Sequence, residues 1–139
     1  MIKVVYCSKG GNTKKLADAM AESIGIHAEN VSEKLDPEQA ELLFIGASVY
    51  AGKMAPKMQA YLSALKPGAA ERAVVFGTGF TETSMRDAVA AILADKNIPV
   101  EAEAFCCKGS FLLANRGKPD ADDCRRAAAF AANLAQSVR

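Results

Sequence analysis

The sequence contains few of the residues that most catalytic and metal sites need. His27 is the single histidine among 139 residues, so a His-based metal cluster or a Cys/His or Ser/His catalytic pair has almost nothing to draw on. The cysteines, Cys7, Cys106, Cys107 and Cys124, form no C-x-x-C pair and show no metal-ligand spacing. Cys106 and Cys107 are adjacent, and neighbours in a strand point to opposite faces, so a disulfide between them would be strained. We therefore expect reduced thiols, buried as small apolar groups.

A strong net charge and long apolar runs are also lacking. The formal net charge is +1, which gives no argument for nucleic acid or an anionic membrane as a partner. No apolar run approaches the ~18 residues that indicate a membrane span. The first residues, MIKVVYCSKG, enter a strand pattern directly and lack the build of a signal peptide. We expect a cytoplasmic protein with one domain over residues 1–139.

Short β-rich runs alternate with segments of helical periodicity. Strand patterns cover residues 2–8, 25–31, 40–50, 72–79 and 100–107. The five expected helices are marked by Leu16, Ala17, Met20 and Ile24; by Asp36 and Pro37 as N-cap and first residue of a short turn; by Met58, Tyr61, Leu62 and Leu65; by Met85, Val89, Ile92 and Leu93; and by Ala127, Phe130 and Leu134. The last of these helices is expected to begin near Pro119, with Asp120, Asp122 and Asp123 at the positive end of its dipole.

This alternation predicts an α/β fold with a doubly wound, five-stranded parallel sheet and helices on both faces. The first, third and fourth strands are the most apolar and should be central. The fifth alternates Glu101 and Glu103 with small apolar residues, so one face near its start is wet, as in an edge strand. The predicted strand order is 2-1-3-4-5, and ligands of such sheets bind beyond the carboxyl ends, between strands one and three.

Three segments lie at that edge: SKGGNT after strand one, ASVYAGKMA after strand three and GTGFTETS after strand four. In the first segment, Gly10 and Gly11 allow a tight turn with N–H groups close to a ligand. Asn12 and Thr13 open a helix whose dipole favours an anion, and Ser8 adds a hydroxyl donor. From these residues alone, a plain strand–turn–helix junction is as well supported as an anion site.

Several phosphate-processing motifs are absent. The segment matches neither G-x-x-x-x-G-K-[ST] nor G-x-G-x-x-G. A cysteine phosphatase needs an arginine six residues after Cys7, where Thr13 stands. A receiver domain needs acidic residues at the end of strand one, where Tyr6, Cys7 and Ser8 stand. A phosphate would therefore be bound by neutral donors, which indicates a cofactor that is held while its phosphate is not transferred.

Two segments resemble those of a known family. SKGGNT resembles the flavodoxin phosphate loop, [ST]-x-[TG]-G-x-T, and GASVYAGKMAPKMQAYL is similar to the G-S-x-V-Y-A-G-[KR]-x-P stretch of short-chain flavodoxin-like proteins. The resemblance covers essentially the whole chain. It implies a flavodoxin-like fold and noncovalent FMN, with the phosphate held mainly by backbone N–H groups of Ser8, Lys9, Gly10, Gly11, Asn12 and Thr13.

The resemblance also implies which residues surround the flavin ring. One side would be formed by Ser48, Val49, Tyr50, Ala51, Gly52 and Lys53, and the other side by Thr78, Gly79, Phe80 and Thr81. Tyr50 is the first stacking candidate and Phe80 the second, although either can instead serve in packing. A segment after strand five could touch the same rim through Lys108, Gly109 or Phe111.

The function implied is electron transfer between a reductase or ferredoxin and an acceptor protein, with the flavin supplying the chemistry. Two alternatives remain open: an FMN-dependent reductase of a quinone or tetrapyrrole, and a module of this fold that has lost FMN. Flavodoxins are usually strongly acidic, and this chain is not. The basic residues near the predicted site suggest an acidic partner or form a solvated rim; they are Lys9, Lys14, Lys15, Lys53 and Lys57.

Overall fold

Strands and helices alternate in the structure of the chain, a computed structural model that describes residues 1–7, 11–31, 39–50, 53–78, 82–107 and 119–138. The strands are β1 (Ile2–Tyr6), β2 (Glu29–Asn30), β3 (Ala40–Tyr50), β4 (Lys53–Met54), β5 (Ala70–Thr78) and β6 (Val100–Cys107). The helices are α1 (Asn12–Ser23), α2 (Pro56–Ala64), α3 (Glu82–Leu93), which continues into a 3-10 turn at Ala94–Lys96, and α4 (Ala121–Ala135).

Five of these strands form a parallel sheet in the spatial order β2-β1-β3-β5-β6. Counted along the chain without β4, this is the order 2-1-3-4-5, so the predicted sheet is confirmed. The short β4 pairs antiparallel with the end of β3 and was not predicted. β3 is central because its residues are buried on both faces: Leu42 and Phe44 on one, Leu43 and Ile45 on the other.

Each face of the sheet is covered by a pair of helices. On one face, α1 and α4 pack against Phe44 and Phe76. On the other, α2 and α3 pack against Ile45 and Val75. The helix residues that are fully buried in these two layers are Leu16, Met20, Ala127 and Ala131 on the first face and Met58, Leu62, Met85 and Val89 on the second. Helices on both faces define the doubly wound architecture.

Some boundaries differ from the prediction. β1 ends at Tyr6, two residues early, and β2 has only two residues, consistent with its weak pattern. In α4, Phe130 and Leu134 are only partly buried. The short helix expected at Asp36 lies outside the described residues.

β6 is the predicted edge strand, but its alternation is broken. Ala73 pairs with Val100 and Val75 pairs with Ala104, so β6 has two extra residues over this stretch. Ala102 is consequently exposed, whereas strict alternation predicted that its side chain lies on the same face of the strand as Val100 and Ala104. Over the described residues, no helix is both long and apolar enough to cross a membrane.

Candidate functional site

The carboxyl edge of the sheet is uneven, because β3 is longer than both of its neighbours. Tyr6, the last residue of β1, pairs with Gly46, and β3 continues for four further residues, about 13 Å of extended chain. On the other side, β5 ends at Thr78, which pairs with Ser48. The projecting end of β3 forms an antiparallel pair with β4, joining Tyr50 to Lys53 in register. The hairpin of β3 and β4 therefore extends beyond the ends of β1 and β5.

The crevice beside this hairpin is the topological switch point. From β1 the chain passes through α1 on one face of the sheet to reach β2. From β3 and β4 it passes through α2 on the opposite face to reach β5. The two connections diverge at the gap between β1 and β3, which is where open α/β sheets bind ligands.

The first turn of α1 faces this crevice and begins with a glycine for a conformational reason. Gly11 is the N-cap, with φ 81° and ψ 0°, a left-handed conformation that costs other L-residues about 1–2 kcal/mol. A Cβ placed there would meet nothing within 4 Å, so backbone preference and not space requires glycine. The carbonyl oxygen of Gly11 accepts a bond from the N–H of Lys15 at 3.1 Å, which closes the first turn.

The donors at this helix start suit an anion. The first turn of α1 contains no acidic residue, so no carboxylate opposes the positive end of the helix dipole. Thr13, in the same turn, is fully buried against the sheet. The start of α4 is the opposite case: Asp120 and Asp123 form a reciprocal capping box at 2.9 and 3.0 Å, and Asp122 adds a third carboxylate.

Two of the cysteines, Cys107 and Cys124, have raised pKa values. Burial, reinforced by the Asp123 carboxylate, raises the pKa of Cys107 to about 12. Burial also raises the pKa of Cys124. Since the thiolate is the reactive form, neither is an activated nucleophile. Within the described ranges, no group of three His, Cys, Asp or Glu side chains is arranged to bind a metal.

The sequence model of the flavodoxin domain family matches residues 3–110, most of the chain. The chain belongs to the flavodoxin domain family. That match spans the ends of β1, β3, β5 and β6, and hence the three segments selected after strands one, three and four. No curated protein gives a significant match.

Solved flavodoxin structures share the fold over nearly their full length. A flavodoxin from the domain Archaea has a TM-score of 0.75 and 19% identity, with 99% of both chains covered. Oxidised flavodoxin 2 from Bacillus cereus has a TM-score of 0.73 and 18% identity, with 97% of both covered. The rubredoxin oxygen:oxidoreductase of Desulfovibrio gigas has a TM-score of 0.70 and 17% identity, and the likeness covers 98% of this chain but 35% of that one. The fold therefore occurs both as a separate chain and within a longer one.

The structure brings part of the predicted flavodoxin site together. Gly11, Asn12 and Thr13 lie at the start of α1, directly after β1 and beside β3. Ser48 and Thr78 are neighbours across the β3–β5 ladder, and Thr78 is buried. Val49, Tyr50 and Lys53 are described in their backbone, which forms the hairpin. The remaining predicted residues lie outside the described ranges: Ser8, Lys9, Gly10, Ala51, Gly52, Gly79, Phe80, Thr81 and residues 108–111.

Two features of this edge of the sheet were not predicted from the sequence. The first is β4, since a two-residue strand has no pattern to detect. The second is the contact between Gly46 and the start of α1, where a Cβ would come within 2.9 Å of Thr13 Cγ2. The available signal was a glycine inside an otherwise apolar strand, which often marks a close approach by another part of the chain.

Proposed function

We propose that this chain binds one FMN noncovalently at the switch point and carries electrons between redox proteins, a reductase or ferredoxin on one side and an acceptor protein on the other. The observation that carries the proposal is the flavodoxin-domain match over residues 3–110, which includes every strand end at that edge. Two similar structures that are flavodoxins have nearly the same extent as this chain.

The described donors fit a phosphate monoester. A dianion at the start of α1 would meet a positive helix dipole, a glycine in the left-handed conformation and no carboxylate in the first turn. In the proposal, the N–H groups and hydroxyls of residues 8–13 hold the phosphate: Ser8, Lys9, Gly10, Gly11, Asn12 and Thr13. Neutral donors bind the group without activating it for transfer.

The strand ends next to the crevice fit a flat ring. β3 projects beyond its neighbours and pairs with β4, and β5 ends beside it at buried Thr78. We place Tyr50 and Phe80 as the stacking residues, with the other predicted positions at the ring edge: Ser48, Val49, Ala51, Gly52, Lys53, Thr78, Gly79 and Thr81. When bound, the flavin supplies reversible one- and two-electron chemistry. The chain orients it and limits the access of water.

FMN content and reduction behaviour test the proposal. The purified protein, or its apoprotein titrated with FMN, should bind about one flavin per chain, and riboflavin should bind more weakly because it lacks the phosphate. In an anaerobic potentiometric titration, a carrier should take up electrons in two separated one-electron steps. Direct two-electron bleaching, with NADPH oxidised by the protein alone, would instead indicate a reductase of a small substrate. Apoprotein that fails to bind FMN would overturn the proposal.

A further inference from the structure

We propose that Gly46 is a positioning residue of the phosphate site: its lack of a side chain lets the first turn of α1 lie close on β3 and thereby fixes Thr13. This inference rests on the proposed FMN site. Gly46 is not itself one of the predicted ligand positions, so its role would be exerted through the placement of α1.

The space above Gly46 is already filled from two sides. A Cβ at this position would lie 2.6 Å from Phe76 Cζ, 2.8 Å from Phe76 Cε2 and 2.9 Å from Thr13 Cγ2. Phe76 is directly opposite Gly46 in the β3–β5 register, and its ring is fully buried. Thr13 is also fully buried, two residues after the N-cap of α1. The ring and the methyl group thus share the place where a side chain would stand.

Any side chain at position 46 must displace both of these groups. To reach an ordinary carbon–carbon separation of ~3.5 Å, Thr13 Cγ2 would retreat by about 0.6 Å and the Phe76 ring by about 0.9 Å. The ring is packed among Val4, Leu16 and Phe44 in a close-packed core, which resists such a shift. Thr13, in contrast, lies at the end of a helix next to the crevice. Because both contacts are too short, the start of α1 must move in addition to the ring.

A movement of this size is sufficient to weaken anion binding. Hydrogen-bond strength falls steeply with distance and angle, and the donors of the first turn act together on one group. The threonine methyl group is the part of α1 that a side chain at position 46 would meet, so displacing it would also move the attached hydroxyl and the neighbouring N–H groups. The inference predicts that affinity for the phosphate changes while the binding of the flavin ring does not.

The test compares FMN and riboflavin binding to the apoprotein of the wild type and of Gly46→Ala. FMN affinity should fall about tenfold, as for the loss of one charge-assisted hydrogen bond, whereas riboflavin affinity should change by less than about twofold. Urea unfolding of each apoprotein measures folding separately from binding. Equal losses for both ligands, or an unchanged FMN-to-riboflavin preference, would overturn the inference.

Two double variants separate the two clashes. Gly46→Ala with Thr13→Ser removes the methyl group but keeps the hydroxyl, and it should restore most of the preference for FMN. Gly46→Ala with Phe76→Leu makes room at the ring and should recover folding stability, which also covers the case in which Gly46→Ala alone folds poorly. Restoration of the FMN preference by Phe76→Leu and not by Thr13→Ser would overturn the role of Thr13.

The same measurements distinguish this inference from the proposed function. If wild-type apoprotein binds FMN and the Gly46→Ala variant binds it equally well, only the positioning role of Gly46 is overturned. If wild-type apoprotein binds no FMN, the proposed function is wrong and the inference is overturned with it.

Discussion

Replacing Gly11 by alanine tests the phosphate site with little change in packing. The residue has φ 81°, and a Cβ there would meet no atom within 4 Å, so the substitution alters backbone preference without crowding. A left-handed alanine costs about 1–2 kcal/mol, part of which is offset because alanine also restricts the unfolded chain. We expect a net loss of about 1 kcal/mol in the free energy of unfolding of the apoprotein. With an m value of roughly 2 kcal/mol/M, the urea midpoint should fall by about 0.5 M.

The effect of Gly11→Ala on FMN should be larger than its effect on folding. If the backbone relaxes to negative φ, the peptide groups at the start of α1 rotate away from the crevice and at least one charge-assisted hydrogen bond to the phosphate is lost. That loss corresponds to about tenfold weaker binding of FMN, with riboflavin nearly unaffected. Gly11→Val should lose more, because a β-branched side chain is worse in this conformation. Flavin fluorescence during titration of the apoprotein measures both ligands, and far-UV circular dichroism follows the fold.

Gly25 provides a matched control in the same helix. It has φ 75°, a Cβ there would also meet nothing within 4 Å, and it follows the opposite end of α1, away from the crevice. Gly25→Ala should cost a similar ~1 kcal/mol while FMN affinity stays unchanged. If both variants bind FMN like the wild type, the phosphate assignment of residues 8–13 is wrong. If both lose affinity equally, the loss reflects helix stability and not the phosphate contact.

Three further predictions concern the stability of the elements around the site. Asp120→Ala removes the N-cap of α4 and should cost about 1 kcal/mol in urea unfolding, while Asp122→Ala, at a more exposed carboxylate, should cost less than half of that; equal effects would contradict the capping role. Burial raises the pKa of Cys107 from 9.0 to about 12, so the unfolded chain loses the thiol proton at a lower pH than the folded chain. The contribution of Cys107 to the free energy of unfolding is therefore complete below pH 9 and is lost between pH 9 and 12. Cys107→Ala should flatten that alkaline decline in the urea midpoint, and parallel curves would show that another group causes it. Gly77→Ala would place a Cβ 2.2 Å from the carbonyl oxygen of Ala47 and should destabilise the fold by about 3 kcal/mol in the same assay, so an unshifted midpoint would show that the strands separate easily.

The sheet could be predicted from the sequence because its signals are local and repeated. Each strand shows its burial in its own residues: β3 is apolar at consecutive positions since both its faces are covered, whereas β6 carries glutamates at an edge. Strand order and crossover rules then place the switch point without any knowledge of side-chain contacts. The start of α1 could also be predicted because its signal is local: Gly11 has a positive φ, which is a property of its own backbone.

Other features depend on pairings that no single segment reveals. β4 forms because Lys53 and Met54 pair with the projecting end of β3. The irregularity in β6 arises because two extra residues lie between Val100 and Ala104. In both cases the deciding interaction joins strands, and the local pattern is compatible with several registers.

Glycine serves two different physical purposes at this site. At Gly11 the left-handed φ disfavours other residues although space is available. The requirement for glycine therefore comes from the local conformation of the turn. At Gly46 the space is occupied by Phe76 and Thr13, so the requirement depends on what those two positions hold. A smaller residue at position 76 or 13 would relax it. The phosphate site is therefore specified by a short motif together with a non-local set of three residues, and substitutions at position 46 should be tolerated only when one of its two neighbours changes with it.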